Sequence, residues 1–414
     1  MRFIHCADIH LGKTYRNPDA EEIRYEDFFI TLAQIVAAAV AEQVDCLLIS
    51  GDLFHVGQIL PKTFARTIDT LQPLKDAGIP CIAIEGNHDW IHRRGNISWM
   101  EALSQLGYIC LLRPQRTEDG GYFFAPFDRL EGAGGHLQLG DLNIYGLGYI
   151  GAQAGNHVER ICQAVTTDNN LLLFHVGIWS YSPVEIGNMK LEEAHPLAKT
   201  FSYVALGHGH KPYIVETPDS RPYAYNPGSP ERVNFGEQTY TKGYYLGEIE
   251  AGELAVEFIA TDPRPMLVAK IDLDGAENAD SALESFVTQL TALLEQEQDS
   301  RRPLLELKLT GRIAFHPFEL GRERLKAALS NVVEPLHVEL KNQLTLAGRS
   351  AADASENKSL SEIETDVLQD LIAQHSQYQG REDELTQLAL KLRNAVQSGV
   401  NDGDDLLDLL DRGM

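Results

Sequence analysis

Short apolar runs alternate with longer, helically patterned stretches through the first half of this 414-residue chain. Residues 2–7 read as a short apolar strand. Residues 24–42 place Phe28, Leu32, Ile35, Val36 and Val40 near helical spacing and predict a helix. Residues 46–50 are almost continuously apolar, the pattern of a strand buried on both faces. A second helix is predicted over 61–77, with Pro61 at its first position. A third strand follows over 81–85 and a short helix over 99–106. This alternation predicts an α/β sheet with crossover helices, and ligands beyond the carboxyl ends of its strands.

The pattern then turns to strands. Buried strands are predicted over 142–145, 171–174 and 203–206, and a hairpin joins 244–249 to 254–259 through Glu250-Ala251-Gly252-Glu253. A second sheet packed on the first follows, so the expected fold is α/β (α+β): a two-sheet sandwich with helices outside. Pro263-Arg264-Pro265 punctuates the chain. Beyond it the pattern is strand (267–273), helix (279–296), strand (304–310), helix (320–330), strand (335–341), a small α/β unit. Residues 347–359 have the composition of a linker. Leu360, Ile363, Val367, Leu368, Leu371 and Ile372 then mark one amphipathic helix, and Leu385, Leu388, Leu392 and Val396 another. The expected organisation is a main domain over 1–262, a second domain over 263–346, a linker over 347–359 and a helical tail over 360–414. No internal repeat is visible.

Composition changes this picture little. The chain is 43% hydrophobic and 23% charged, ordinary for a soluble protein. No apolar run approaches the roughly 18 residues of a membrane span. The N-terminus enters a strand at once, leaving no room for a leader, so a cytoplasmic location is expected. The cysteines (Cys6, Cys46, Cys81, Cys110 and Cys162) are odd in number and far apart. They read as reduced thiols, with no CxxC pair for zinc. Charge matters more. A formal net charge of −25 argues that any grip on nucleic acid is local or supplied by a partner.

The chemistry lies just after the predicted strands, in Asp8-Ile9-His10, Gly51-Asp52, Gly86-Asn87-His88-Asp89, Phe174-His175 and Gly207-His208-Gly209-His210. Asp8 and His10, two apart at a strand end, are expected to point to one side. Gly51 lets the backbone turn so that the Asp52 carboxylate bridges two ions. Carboxylates, an amide oxygen and several imidazoles suit manganese, iron or zinc more than magnesium or calcium. Two adjacent cations are a device for attacking phosphate esters. His55 reads either as a surface loop histidine or as part of this site. Arg93 and Arg94 read either as phosphate contacts or as a solvated pair. Asp89 either orients its surroundings or caps a turn. The turn-rich segment 226–237 either buttresses the site or forms a rim shaping access.

The ordered set DxH, GD, GNHD, H, GHxH resembles the calcineurin-like metallophosphoesterases. The resemblance implies that Asp8, His10, Asp52 and His210 hold one ion, and Asp52, Asn87, His175 and His208 the other, roughly 3.5–4 Å apart. It implies that a water between the ions attacks phosphorus in line, and that His88, facing substrate, protonates or polarises the leaving oxygen. The stretch Gly51-Asp52-Leu53-Phe54-His55 lacks the Asp-Arg-Gly continuation of the Ser/Thr protein phosphatases. The segment NPGSPERVNFGE is similar to the GSxxRxxFxE stretch of the SbcD-type DNA-repair exonucleases, and the domain order resembles theirs. That resemblance implies manganese-dependent 3′-to-5′ exonuclease and endonuclease action on DNA, and a cap over residues 263–346 guiding DNA. It also implies a homodimer, tail helices docked on an SMC-like coiled-coil ATPase, and His55 contacting the nucleotide near His88. Two other readings stay open: a phosphodiesterase or phosphatase for small molecules such as cyclic nucleotides, and a scaffold whose main task is binding the ATPase.

Overall fold

The computed structural model describes residues 1–15, 18–90, 97–182, 186–295, 299–347 and 381–397, with positions 365, 368, 369 and 372. Two six-stranded sheets form the body of the molecule. The first runs in the order Glu253–Ala260, Gly243–Glu250, Arg2–Cys6, Cys46–Ile49, Cys81–Ala83, Cys110–Leu111. From Arg2–Cys6 onward these strands are parallel, while the hairpin Gly243–Glu250/Glu253–Ala260 closes the other edge antiparallel. The second runs Tyr213–Glu216, Pro222–Asn226, Tyr203–Leu206, Asn170–Phe174, Leu142–Leu147, His136–Leu139, with its four central strands parallel.

Continuous apolar strands are explained by what lies on each face. Cys46 and Leu48 point between the sheets, with Phe3, Ile82, Leu171, Leu173 and Tyr203. Leu47 and Ile49 point the other way, against Phe28, Leu32, Ile35 and Leu71 of the covering helices. Helices also cover the second sheet, whose Leu172 and Phe174 pack with Ile161 and Leu197. A polar residue at any of these positions would bury an unpaired group. An apolar one contributes about 1.5–3 kcal/mol when fully buried.

The helices match the sequence pattern in type and differ at their ends. The first spans Pro18–Ala41, starting before Arg24. In the added turns Ala20 is buried while Glu21, Glu22 and Ile23 are exposed, too thin an apolar pattern for the periodicity to register. The second spans Pro61–Ala77 and stops where Gly78 takes a left-handed φ of 71° and donates to the Leu74 and Lys75 carbonyls. The third, Trp99–Gln105, opens with a reciprocal cap: Ser98 Oγ accepts from Glu101 N–H at 3.0 Å and the Glu101 carboxylate accepts from Ser98 N–H at 2.6 Å.

A separate three-stranded parallel sheet, Met266–Asp272, Leu304–Ile313 and His337–Leu346, carries the helices Ala279–Leu294 and Arg322–Ser330. It has its own core of Ile271, Phe286, Leu290, Leu307, Leu309 and Leu325. A buried ionic cluster lies at its junction with the sandwich. Asp27 accepts from Arg24 at 2.7 Å and from Arg264 at 2.6 and 2.9 Å, and Glu231 lies 3.4 Å from Arg24. Arg264, the centre of the Pro-Arg-Pro punctuation, also donates to the Arg302 carbonyl at 3.1 Å. The last described helix is Glu382–Gln397. Most of the first predicted tail helix lies outside the described residues. All five cysteines are free thiols. No helix among the described residues is long and apolar enough to cross a membrane.

Candidate metal centre

Five loops leave the carboxyl ends of five parallel strands at one end of the sandwich and converge there. Asp8 and His10 do not meet by strand alternation, as their spacing suggested, because the strand ends at Cys6. Both instead adopt left-handed backbone, φ 53° and 55°, as do Asp52 at 51° and His208 at 78°. Such conformations cost a non-glycine residue on the order of 1–3 kcal/mol each and persist only where surroundings enforce them. Here the first two loops brace each other: Asp8 N–H donates to Gly51 O at 3.1 Å and His10 N–H to Asp52 O at 3.0 Å. The glycines before the ligand positions make room. A side chain at Gly86 would run into the Asp52 carboxylate, and one at Gly51, itself at φ 92°, into the His175 ring.

The seven candidate ligands form one connected cluster. Asp8, His10 and His210 bring their ligand atoms together, as do Asp8, Asp52 and His175. His10 Nε2 and His210 Nε2 lie 3.0 Å apart. Asn87 Oδ1 stands 3.2 Å from His175 Nε2 and 2.9 Å from His208 Nδ1, and Asp52 Oδ2 lies 3.6 Å from His175 Nε2. Outer partners set which nitrogen faces inward. His175 Nδ1 donates to Ser50 O at 2.7 Å, His208 Nε2 to Ile186 O at 2.6 Å, and His210 Nδ1 to Glu237 Oε1 at 2.8 Å. Each leaves its other nitrogen as a lone-pair donor towards the cluster, the arrangement of metal-bound histidines.

Electrostatics point the same way. Asp8 is fully buried. Its Oδ1 accepts from His208 N–H at 3.0 Å, but Oδ2 has no hydrogen-bond partner. A buried carboxylate oxygen left so is costly unless a cation meets it. Burial pushes the Asp8 carboxyl up to about 6, with His175 and His210 pulling against it. Burial also opposes ionisation at Asp52 and His175. Their mutual attraction outweighs it, holding Asp52 well below the carboxylate range and raising His175 to about 9. The proton on His175 stands in for positive charge and must leave when a cation enters. The donor set of carboxylates, amide oxygen and imidazoles fits two divalent ions.

His88 and His55 sit beside the cluster. His88 Nδ1 donates to His55 O at 2.7 Å, leaving Nε2 available, and its ring stacks on His55 with centroids 5.4 Å apart. The His88 N–H donates to Asp52 Oδ1 at 2.9 Å. Both rings are half-buried, and the nitrogens of His10, His55 and His88 themselves lie close enough to share an ion. Asp89 is buried and ties two loops together, accepting from Gly86 N–H at 2.9 Å and Phe54 N–H at 2.8 Å. It therefore orients the loops. Arg93 and Arg94 lie outside the described residues.

The segment 226–237 is a buttress. Glu237 is 3% exposed and holds His210 while pairing with Lys242, which is buried too and also donates to Ser229 Oγ at 2.6 Å. Burial would raise the Glu237 carboxyl, but His210 and Lys242 together bring it down to about 2. Lys242 was not singled out from the sequence, and Glu237 only as the end of the segment read as buttress or rim. The only signal was that Glu237 ends the GSxxRxxFxE stretch. His5, by contrast, is a satisfied core residue. It is held by Tyr203 Oη at 2.8 Å, Leu206 O at 3.0 Å and Ser50 Oγ at 3.0 Å, and burial lowers it to about 3.

Comparison with known proteins agrees with this geometry. The profile of the calcineurin-like phosphoesterases matches residues 1–212. The chain belongs to that family. The DNA double-strand break repair protein Mre11 of Sulfolobus acidocaldarius is 26% identical over 403 residues, covering 95% of each chain. The protein of the same name from Sulfurisphaera tokodaii is 29% identical over 53% of this chain and 51% of its own. An uncharacterized metallophosphoesterase of Bacillus subtilis, YhaO, is 26% identical over 72% of this phosphoesterase and 67% of its own length.

Proposed function

We propose that this phosphoesterase is a dinuclear-metal DNA nuclease of double-strand-break repair, acting as a 3′-to-5′ exonuclease and an endonuclease. The observation carrying this reading is the Asp8 Oδ2 atom, buried and without a hydrogen-bond partner inside a cluster made wholly of ligand-type side chains. The relatives named as break-repair proteins support the choice of substrate. In this reading Asp8, His10, Asp52 and His210 hold one ion, and Asp52, Asn87, His175 and His208 the other. The resemblance to the SbcD-type exonucleases points to manganese, with iron, zinc or magnesium as substitutes, and the four imidazoles suit a transition metal better than magnesium or calcium. When bound, the ions supply Lewis acidity and an acidified attacking water. His88, with Nδ1–H anchored on the His55 carbonyl, acts as acid in its imidazolium form, in which Nε2 also carries a proton to give to the leaving oxygen. Glu237 and the Ser50 and Ile186 carbonyls hold the ligand rings in place.

The rest of the chain serves this site. Residues 1–262 form the nuclease domain. Residues 263–346 form a cap that guides DNA, and residues 347–359 link it to a helical tail over 360–414. The tail docks on an SMC-like coiled-coil ATPase, and two copies pair as a homodimer in the cytoplasm. The net charge of −25 favours one rival, hydrolysis of small phosphodiesters such as cyclic nucleotides. The deciding experiment incubates the full chain with manganese or magnesium, with and without an SMC-like coiled-coil ATPase from the same organism. Degradation of linear duplex DNA is expected with manganese and faster with the ATPase. Cleavage of cyclic nucleotides with intact DNA would overturn the proposal.

A further inference from the structure

Tyr149 reaches the metal centre without being one of its candidate ligands. It follows the strand Leu142–Leu147, which runs parallel to Asn170–Phe174 and its His175, so it leaves the sandwich at the same end as the ligand loops. Its N–H donates to Glu85 O at 2.9 Å, which ties it to the loop carrying Asn87 and His88. Its ring packs on two candidate ligands, with centroids 5.5 Å from His208 and 6.2 Å from His175. Gly187 makes room for that ring. A Cβ there would lie 2.6 Å from Tyr149 Cε2 and 2.6 Å from His208 Nε2, and the residue has a φ of 90°. The loop that anchors His208 through the Ile186 carbonyl thus gives up a side chain where the ring is seated.

The hydroxyl is what the packing does not use. Other tyrosines of the sandwich engage theirs, as Tyr203 does with His5 and Tyr145 with Thr167. Tyr149 is half-buried, and its hydroxyl bonds to none of the described residues. Burial pushes that hydroxyl up, and so does the charge of Asp52, which lies in the cluster. His88 borders the centre beside His10 and His55, and Tyr149 beside His175 and His208, so the two flank it from different sides. A phosphodiester brought to this cluster carries two anionic non-bridging oxygens. A phenol is protonated at neutral pH and can donate to one of them. A donor already in place counts for most where charge develops in the transition state.

We infer that the Tyr149 hydroxyl donates a hydrogen bond to a non-bridging oxygen of the scissile phosphate, from the His175–His208 side of the centre. Tyr149 keeps its proton throughout; it holds and polarises the phosphoryl group while His88 serves the leaving oxygen. This deepens the nuclease reading and rests on the same centre, but it applies to any phosphodiester cut there.

The test uses Tyr149→Phe and Tyr149→Leu in the full-length protein, because the first removes one oxygen and leaves the ring against His208. With manganese, Tyr149→Phe is expected to lose about 10–100-fold in kcat, the scale of a hydrogen bond to a charged group. The factor should be the same on a short single-stranded oligonucleotide and on bis-(p-nitrophenyl) phosphate, with KM little changed. Manganese content by elemental analysis should stay that of the wild type. Orthovanadate, a five-coordinate phosphate analogue, should bind the manganese-loaded variant at least about tenfold more weakly by calorimetry. Unchanged kcat and vanadate binding in Tyr149→Phe overturn the inference. If Tyr149→Leu then loses activity on the oligonucleotide alone, the ring is a stacking surface for a base. Loss of manganese in Tyr149→Phe also overturns it and makes the hydroxyl a support for the ligand rings. A wild-type protein that cleaves the diester and leaves DNA intact would count against the nuclease reading instead, and the diester and vanadate would still decide the role of Tyr149.

Discussion

Strained backbone at Asp8, His10, Asp52 and His208 means that four candidate ligands sit in conformations their residue types disfavour. The cost is offset by the hydrogen bonds between loops, and the result is a set of donors fixed before any ion arrives. Asp52 is the residue most embedded in this arrangement: its carboxylate faces His175 and accepts from the His88 N–H. Asp52→Ala is expected to lose bound manganese and activity together while circular dichroism stays that of the folded protein. Two tightly held ions in that variant, by elemental analysis, would refute the ligand assignment. His88 is expected to behave differently, since its one anchored nitrogen bonds a backbone carbonyl and not the cluster. His88→Ala should keep its metal and lose roughly 10²–10⁴-fold in turnover, the scale of general acid–base help. Loss of metal in place of turnover would make His88 a ligand.

Elements carry these residues to one place, and the ionic cluster at the domain junction holds two elements together. Arg24 lies on the first helix, Asp27 one turn later, and Arg264 on the segment leading into the three-stranded sheet. Asp27→Ala would leave the Arg264 guanidinium without its carboxylate and Arg24 with Glu231 alone, 3.4 Å away. Breaking such a cluster by removing one partner costs about 3–5 kcal/mol. Chemical denaturation should show that loss, whereas a change under about 1 kcal/mol would mean water replaces the carboxylate. Elements were also where sequence reading worked best. The alternate facing of Cys46, Leu47, Leu48 and Ile49 produces the unbroken apolar run that predicted a doubly covered strand. Clustered ligand motifs after such strands were legible because metal chemistry restricts residue type. Lys242 was not, since a lone lysine after a turn-rich stretch looks like any solvated charge until the fold buries it. The same holds for Arg24, a charge on the first helix that the fold buries completely.

At the scale of the whole molecule, the helix Glu382–Gln397 is the element the nuclease site does not explain. Leu388 is buried and Leu385 and Leu392 are half-buried, so its apolar stripe is covered incompletely within one chain. An apolar stripe on a surface helix has to be buried somewhere. The proposed partner, a coiled-coil ATPase, would present a groove into which an amphipathic helix lays that face. The sandwich and the three-stranded sheet each have a core of their own, so removal of the tail should leave both intact. A chain ending at residue 350 is expected to stay folded and to cleave short single-stranded DNA with manganese at close to the full-length rate. It should fail to co-purify with the ATPase and should lose ATP-dependent processing of long duplexes. Aggregation of the truncated protein would mean that the stripe packs on the core, and full-affinity binding of the ATPase would place the docking site elsewhere in the chain.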